Sequence, residues 1–350
     1  MSRPGTHATG RGGNPPGGSG DARFPDAQPP QPGLISVIMP CFNSERHLEE
    51  AVASVFDQRD VNLELIAVDD GSGDGTLKLL ERFAQRFGPE RMTVLEQANR
   101  GPYPARNAAL ARARGEFVAF LDADDYWAED CLGRLREALV EQEADLAYCG
   151  WQNVGEGAPG GQPHVPVAYE EGDLIGRFLQ GCPWPIHAAL ARRTLVRAVG
   201  GFSERYRTSM DYDFWLRIAA VNPKLTRVAQ VLAYYRWHDQ GQISAVRWEQ
   251  VLHSWYVRRE FAQRHPALLG HLERRELRGK IHGFLRDSAY AAYWKRDLRS
   301  AQRLFRSVWI SGYWSTRDLR YLLPALLPAR VYRALVTGRD QRARATAGRE

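Results

Sequence analysis

The chain has no run of about 20 apolar residues, the length a helix needs to cross a bilayer. Its most apolar late segment, Tyr321–Leu335, is interrupted by Pro324, Pro328, Arg330 and Arg333. No apolar signal core stands near the N-terminus, so no export signal is expected. Cysteine is scarce, with four in 350 residues. Cys41, Cys131, Cys149 and Cys182 form no CxxC pair and no zinc-like spacing. Three of them lie in or beside apolar segments, so reduced core thiols and a cytoplasmic location are expected. Helix-turn-helix, zinc and RNA-binding signatures are absent, which argues against nucleic acid as a partner. The first strand is followed by no Gly-rich, Lys- or Arg-bearing phosphate loop, which argues against a nucleotidyltransferase. There is no internal repeat.

Charge is present but unevenly placed. The net charge is +6, yet residues 251–350 carry 21 Lys and Arg against 8 Asp and Glu. The remaining 250 residues therefore have a net charge of −7. A basic section of this kind suits an anionic partner, or is a solvated set of Arg-rich helix faces. Residues 1–33 are rich in Gly, Pro and small polar residues and are expected to be disordered. A catalytic domain is expected over 34–245, with a nucleotide-binding half at 34–150 and an acceptor half at 151–245. A helical basic and aromatic extension is expected over 246–337, and a disordered tail over 338–350.

Within 34–150 short apolar runs alternate with helical spacing. Leu34–Met39, Leu63–Val68, Met92–Leu95, Glu116–Leu121 and Asp145–Cys149 read as buried strands. Ser44–Asp57, Gly75–Phe87, Pro104–Arg114 and Ala128–Gln142 read as helices between them, with Asp74 as a cap. This alternation predicts an α/β fold, a mainly parallel sheet flanked by helices. Ligands bind such sheets beyond the carboxyl ends of the strands. The polar clusters fall at those ends.

One cluster is Asp69-Asp70-Gly71-Ser72-Gly73-Asp74-Gly75-Thr76. One of its carboxylates can accept the N–H of a uracil-like base or a ribose hydroxyl, or the segment is only a tight turn. The glycines read GxGxG, not the GxGxxG of a dinucleotide loop. A second is Asp122-Ala123-Asp124-Asp125, where three carboxylates in four residues repel one another. A hard divalent cation, Mg²⁺ or Mn²⁺, would offset that repulsion and neutralise a departing diphosphate. Arg106, near a helix start, could meet phosphate or this acidic cluster. Asp211 and Asp213 open an apolar helix, where one could be a general base and the other could favour the positive helix end. His238 follows the strand-like run Val228–Tyr235.

Taken in order, SVIMPCFNSERHLEEAVASVFDQ, DDGSGDGT, NRGPYPARN, FLDADDYW, GGF…DYDFWLR and YRWH…IS resemble the family 2 glycosyltransferases. The resemblance covers about residues 34–245 and implies the GT-A nucleotide-diphospho-sugar transferase fold. It implies that Pro40 and Asn43 line the nucleotide pocket and that Asp70, with Asp69, binds base and ribose. It makes Asp122-Ala123-Asp124 the DxD element, places Asp124 and Asp125 on the metal, and gives His238 a contact to diphosphate or metal. Asp211 takes the position of the catalytic base. Met210 stands where many members carry an acid. Arg236-Trp237 is present, but Ala233 replaces the Gln of the QxxRW motif of polymerising members, which favours transfer of a single sugar.

The implied reaction is an inverting transfer from a nucleotide-diphosphate sugar, UDP-sugar favoured, to an acceptor hydroxyl. The setting would be surface polysaccharide, lipopolysaccharide or glycolipid synthesis. A glycan or lipid-linked glycan is the implied acceptor. Trp184, by stacking on a sugar, and His187 are expected at the acceptor site. The basic extension could rest on an anionic membrane, peripheral on the inner face of the cell membrane. The alternative is a non-catalytic nucleotide-sugar-binding or regulatory protein on the same fold.

Overall fold

The computed structural model describes Phe24 and residues 29–156, 158, 162–237 and 247–347. Its first half runs β1 (Gln31–Cys41), α1 (Leu48–Phe56), β2 (Asn62–Asp69), α2 (Thr76–Phe87), β3 (Met92–Glu96), α3 (Pro102–Leu110) and β4 (Gly115–Phe120). Then come β5 (Tyr126–Trp127), α4 (Cys131–Glu141), β6 (Leu146–Val154), α5 (Leu174–Phe178), β7 (Ala189–Arg192), α6 (Arg193–Ala198), α7 (Met210–Ala220) and β8 (Leu225–Arg236). The C-terminal section is helical: α8 (Arg247–Arg264), α9 (Arg274–Trp294), α10 (Leu298–Ser311), α11 (Leu319–Leu326) and α12 (Ala329–Ala347).

The strands form one sheet in the order β3-β2-β1-β4-β7-β6-β8-β5. β3, β2, β1 and β4 are mutually parallel, as their uninterrupted apolar runs predict. The Asp145–Cys149 run does form a strand, β6, but β7 lies between it and β4, antiparallel to both. Nothing in the short Ala-Leu-Ala-Arg of β7 announces this insertion. The sheet is therefore mixed, with β6 and β8 parallel and β5 antiparallel to β8. The chain winds from β1 outward to β2 and β3, then returns to place β4 on the other side of β1. That reversal opens a crevice at the carboxyl ends of β1 and β4, where α/β sheets bind ligands.

Two apolar cores form. The larger packs both faces of the sheet, with Phe120, Phe202 and Phe214 in mutual ring contact. A smaller core lies among the C-terminal helices around Trp255, Leu285, Phe305, Leu322 and Tyr332. The two are tied by polar links from α8. Buried Arg258 donates to the carbonyls of Leu179 and Gln180, and Glu260 meets Arg205 and Tyr206. Among the described residues no helix is long and apolar enough to cross a membrane.

Described elements fall inside both regions expected to be disordered. β1 begins at Gln31, where its amide bonds the Arg114 carbonyl at 2.9 Å, and Phe24 is buried beneath the Arg197 guanidinium. α12 continues to Ala347, past the expected limit of the extension at residue 337.

Gly201 marks a position that only glycine fits. Its φ is +65°, and an added Cβ would stand 2.7 Å from Asn107 Oδ1 and 3.0 Å from Phe24 Cζ. Gly201→Ala is expected to lower stability by roughly 1–3 kcal/mol. Urea denaturation checks this, and an unchanged midpoint would count against the strain.

Candidate functional site

The crevice is built from strand ends and the loops that follow them. β1 ends in buried Pro40 and Cys41, followed by Asn43 in the left-handed region. The Asn43 amide donates to Ser72 Oγ at 3.0 Å, and its Oδ1 accepts from the Gly73 amide at 2.8 Å. This side chain thus pins the Gly-rich turn after β2 against the end of β1. Asp74 accepts from the Thr76 amide at 3.0 Å, but the cap position of α2 falls on Gly75, one residue later than expected.

Asp69 and Asp70 play different parts. Both are buried. The Asp70 carboxylate is fastened to the next loop by three donors: Gln97 Nε2 at 2.7 Å, the Arg100 amide at 2.9 Å and the Gly101 amide at 2.7 Å. Asp69 Oδ2 accepts from the Ser72 amide at 3.1 Å, while Oδ1 has no hydrogen-bond partner among the described residues. A buried carboxylate oxygen left without a donor is a place for a ligand's N–H or O–H.

At the end of β4, Asp122 is half-buried and paired with Arg106, which is 4% exposed. The Arg106 guanidinium stands over the Tyr103 and Phe202 rings, and its Nε has no partner among the described residues. The Asp125 amide closes a turn onto the Asp122 carbonyl at 3.0 Å, and Arg236 Nε donates to the Asp124 carbonyl at 2.9 Å. The Arg236 of the Arg-Trp pair therefore steadies the acidic turn from β8.

α7 brings Asp211. Ahead of it, the Asn107 amide group exchanges hydrogen bonds with the Phe202 backbone at 2.8 and 2.9 Å. Buried Met210 donates its amide to Tyr103 Oη at 3.3 Å. Asp213 is clasped by Arg205 and Arg217 at 2.9 and 2.8 Å. That leaves Asp211 as the α7 carboxylate facing the cluster. Burial raises the Asp211 carboxyl above its ordinary value; the Arg106 charge opposes this and Asp122 adds to it.

Tyr235 of β8 reports the convergence. Burial raises its phenol first, and the charges of Asp125, Asp122, Asp124 and Asp211 raise it further. Cys41 responds in the same way to burial and then to Asp69, Asp122 and Asp124. The structure thus gathers Asp69, Asp122, Asp124, Asp211 and Arg106 around one crevice. Tyr103 and Tyr235 line it too, although the sequence reading did not single them out. Each sits inside a segment it noted, but an aromatic in a strand or helix is ordinarily core.

Three expectations change. Asp125 is 1% exposed and turned inward, with Oδ1 accepting from the Arg236 amide at 2.8 Å and Oδ2 3.0 Å from His187 Nδ1. Burial pushes its carboxyl upward against the pull of His187. Oδ1 holds the turn through the Arg236 amide and Oδ2 lies beneath it beside His187, so Asp125 faces the core and not the crevice. His187 is wholly buried on this pair and stacks on Tyr235. Trp184 is 1% exposed and stacks on Tyr148 at 4.3 Å, ringed by Tyr169, Phe178 and Trp215. Neither residue can touch an acceptor. His238 lies outside the described residues.

Among the described residues no group of three or more His, Cys, Asp or Glu side chains forms a ready metal cage. Asp122 and Asp124 nonetheless fit a Mg²⁺ or Mn²⁺ that takes its other ligands from phosphate and water, since such ions commonly use one or two carboxylates.

Residues 36–197 match the family described as Glycosyl transferase family 2. The putative teichuronic acid biosynthesis glycosyltransferase TuaG of Bacillus subtilis (strain 168) is 31% identical over 237 residues, 66% of this chain and 90% of that protein. The Escherichia coli UDP-Glc:alpha-D-GlcNAc-diphosphoundecaprenol beta-1,3-glucosyltransferase WfgD is 28% identical over 233 residues, 66% of this chain and 87% of the other. Among solved structures, S. aureus TarS 1–349 in complex with UDP-GlcNAc superposes with a TM-score of 0.59 at 22% identity, over 88% of this chain and 92% of that one. The mannosyltransferase PcManGT of Pyrobaculum calidifontis, in complex with GDP-Man and Mn²⁺, gives 0.55 at 20%, over 91% and 89%. These two likenesses carry the fold, GT-A in kind, and the sequence relatives carry the chemistry. With acidic strand ends gathered at the sheet's reversal and relatives of this similarity, the chain is a glycosyltransferase and belongs to glycosyl transferase family 2.

Proposed function

We propose that the chain transfers a single sugar, with inversion, from a UDP-sugar to a hydroxyl of a glycan or lipid-linked glycan acceptor. The observation that carries this reading is the convergence of Asp122, Asp124 and Asp211 on Tyr235 at the reversal of the sheet. The relatives point the same way: one is named for a UDP-Glc donor and a diphosphoundecaprenol-linked acceptor, and one fold neighbour was solved with UDP-GlcNAc. Surface polysaccharide or glycolipid synthesis is the setting they suggest.

In this reading Asp69 Oδ1 accepts a hydrogen bond from base or ribose. Asp70 and Asn43 hold the two loops that shape the pocket, and Pro40 forms its floor. Asp122 and Asp124 would hold Mn²⁺ or Mg²⁺, which would stabilise the charge on the leaving diphosphate. Arg106, held by Asp122, adds positive charge beside it. Asp211 takes the proton of the acceptor hydroxyl as that oxygen bonds to the anomeric carbon. The bond from that carbon to the diphosphate oxygen breaks on the opposite face, and the nucleoside diphosphate leaves with the electron pair.

Because burial raises the Asp211 carboxyl, its deprotonated, active form is reached only above the usual carboxylate range of about 4. The acid limb of the rate against pH should therefore lie higher than an exposed Asp would set it. A limb at or below that range would take Asp211 out of the role of base.

The first experiment is a thermal-shift and hydrolysis screen of nucleotide sugars with and without Mn²⁺. Metal-dependent stabilisation by one donor, with slow release of its nucleoside diphosphate, is the expected result. A folded protein that responds to no donor would argue against the assigned nucleotide site. The C-terminal helices, with exposed Trp294, Ile310, Leu323 and Leu326 beside many arginines, suit a peripheral place on an anionic membrane. Sedimentation with anionic vesicles tests that part.

A further inference from the structure

A second cleft, of about 540 Å³, opens in the C-terminal helical section between α9 and the turn that follows α10. Arg274, Arg275, Arg278 and Arg286 converge on it, with Tyr313 and Trp314 as its aromatic wall. No carboxylate lines it. Along α9, Arg275, Arg278, His282 and Arg286 recur at helical spacing and share one face.

A bland reading would make this a solvated face neutralised by neighbouring acids. The nearest acids neutralise it only in part: buried Asp318 feels the Arg286 charge, but its carboxylate is bonded to Ser315 and Tyr290 and to no guanidinium among the described residues. Glu276 is drawn away to Lys280 at 3.2 Å. Asp287 stands 3.4 Å from Arg286 but is highly exposed, where an ion pair is weak. Arg274 and Arg275 have no ion-pair partner among the described residues. Two of the arginines are also held by contacts of their own. Arg278 donates to the Gly312 carbonyl at 2.8 Å, and Arg286 rests over the Tyr313 ring. Tyr313 stacks on His282, and Trp314 stacks on Trp309 at 5.1 Å. His282 is pushed down to about 4, by burial first and then by the charges of Arg259 and Arg278, so it adds no cation of its own near neutral pH.

Guanidinium groups that cannot neutralise one another, gathered in one cleft, match the oxygens of a phosphate. We propose that this cleft is a second anion site, separate from the nucleotide crevice, that takes a phosphate or diphosphate group. The site stands on this geometry alone. A role in holding the phosphate of an acceptor or of a lipid headgroup rests in addition on the transferase reading.

The test uses the full chain in EDTA, which silences any metal-dependent nucleotide site, with inorganic pyrophosphate followed by titration calorimetry. Wild type should bind, and Arg275→Gln with Arg286→Gln should weaken binding about tenfold or more, since each removes a charged hydrogen-bond donor. Arg299→Gln with Arg303→Gln, which removes the same charge from α10, should leave binding unchanged. No binding by wild type, or equal weakening by both pairs, overturns the proposal. A thermal scan of each variant confirms that it is folded, and Arg275→Lys with Arg286→Lys should restore part of the affinity. Vesicles of phosphatidylglycerol and phosphatidylcholine separate the sources. Vesicle binding lost in the Arg275/Arg286 pair assigns the cleft to a lipid headgroup; pyrophosphate binding without vesicle binding assigns it to a soluble phosphorylated molecule. Failure here leaves donor turnover untouched, and failed donor turnover leaves pyrophosphate binding in EDTA untouched.

Discussion

Asp211→Asn should lower sugar transfer by about 10²–10⁴-fold while leaving donor binding essentially unchanged. Asn keeps the shape of the side chain but cannot take a proton. The substitution also removes a carboxylate whose charged form burial already disfavours, so the fold should not suffer. Arg106 keeps its partner Asp122, so the crevice does not lose its charge balance. Single-turnover rates and donor titration on the same preparation make the test. Full transfer by a folded Asp211→Asn protein would sink the assignment. Loss of donor binding along with rate would place Asp211 in the donor pocket instead.

Trp184→Ala should cost about 3–5 kcal/mol of stability, the range for deleting a large buried aromatic. The ring is 1% exposed and sits among Tyr148, Tyr169, Phe178 and Trp215. Its Nε1 has no partner among the described residues, and an unpaired buried donor is itself unfavourable. The loss should therefore fall toward the low end, and Trp184→Phe should be much milder. Urea denaturation reads both. If Trp184→Ala keeps its midpoint and only the acceptor KM rises, the residue faces a sugar after all, and the packing described here is wrong.

Much of this site was legible before any coordinates. The parallel strands announced themselves as short apolar runs, because a strand covered on both faces has no polar side to show. Their polar tips followed from the rule that such sheets carry ligands at the carboxyl ends. Asp69, Asp122, Asp124 and Asp211 could be named because each stands where an apolar element ends or begins.

The errors have one physical origin. Whether a polar residue at such a position faces the crevice or the core depends on partners far away in sequence. Asp125 turns inward because the Arg236 amide and the His187 ring meet it there, at sequence separations of 111 and 62. Asp70 is engaged by a loop about 30 residues on. Asp211 and Asp213 look alike in the sequence, and only Arg205 and Arg217 distinguish them. β7 could not be foreseen between β4 and β6, because four residues carry no usable period. By itself the sequence determined the alternation of strands and helices in the nucleotide half, the acidic tips and the helical C-terminal section, since these rest on local spacing and composition. Only the tertiary structure decided which way each carboxylate faces, that Trp184 and His187 are core, and that four arginines meet in one cleft, because each of these depends on contacts between segments that spacing alone does not bring together.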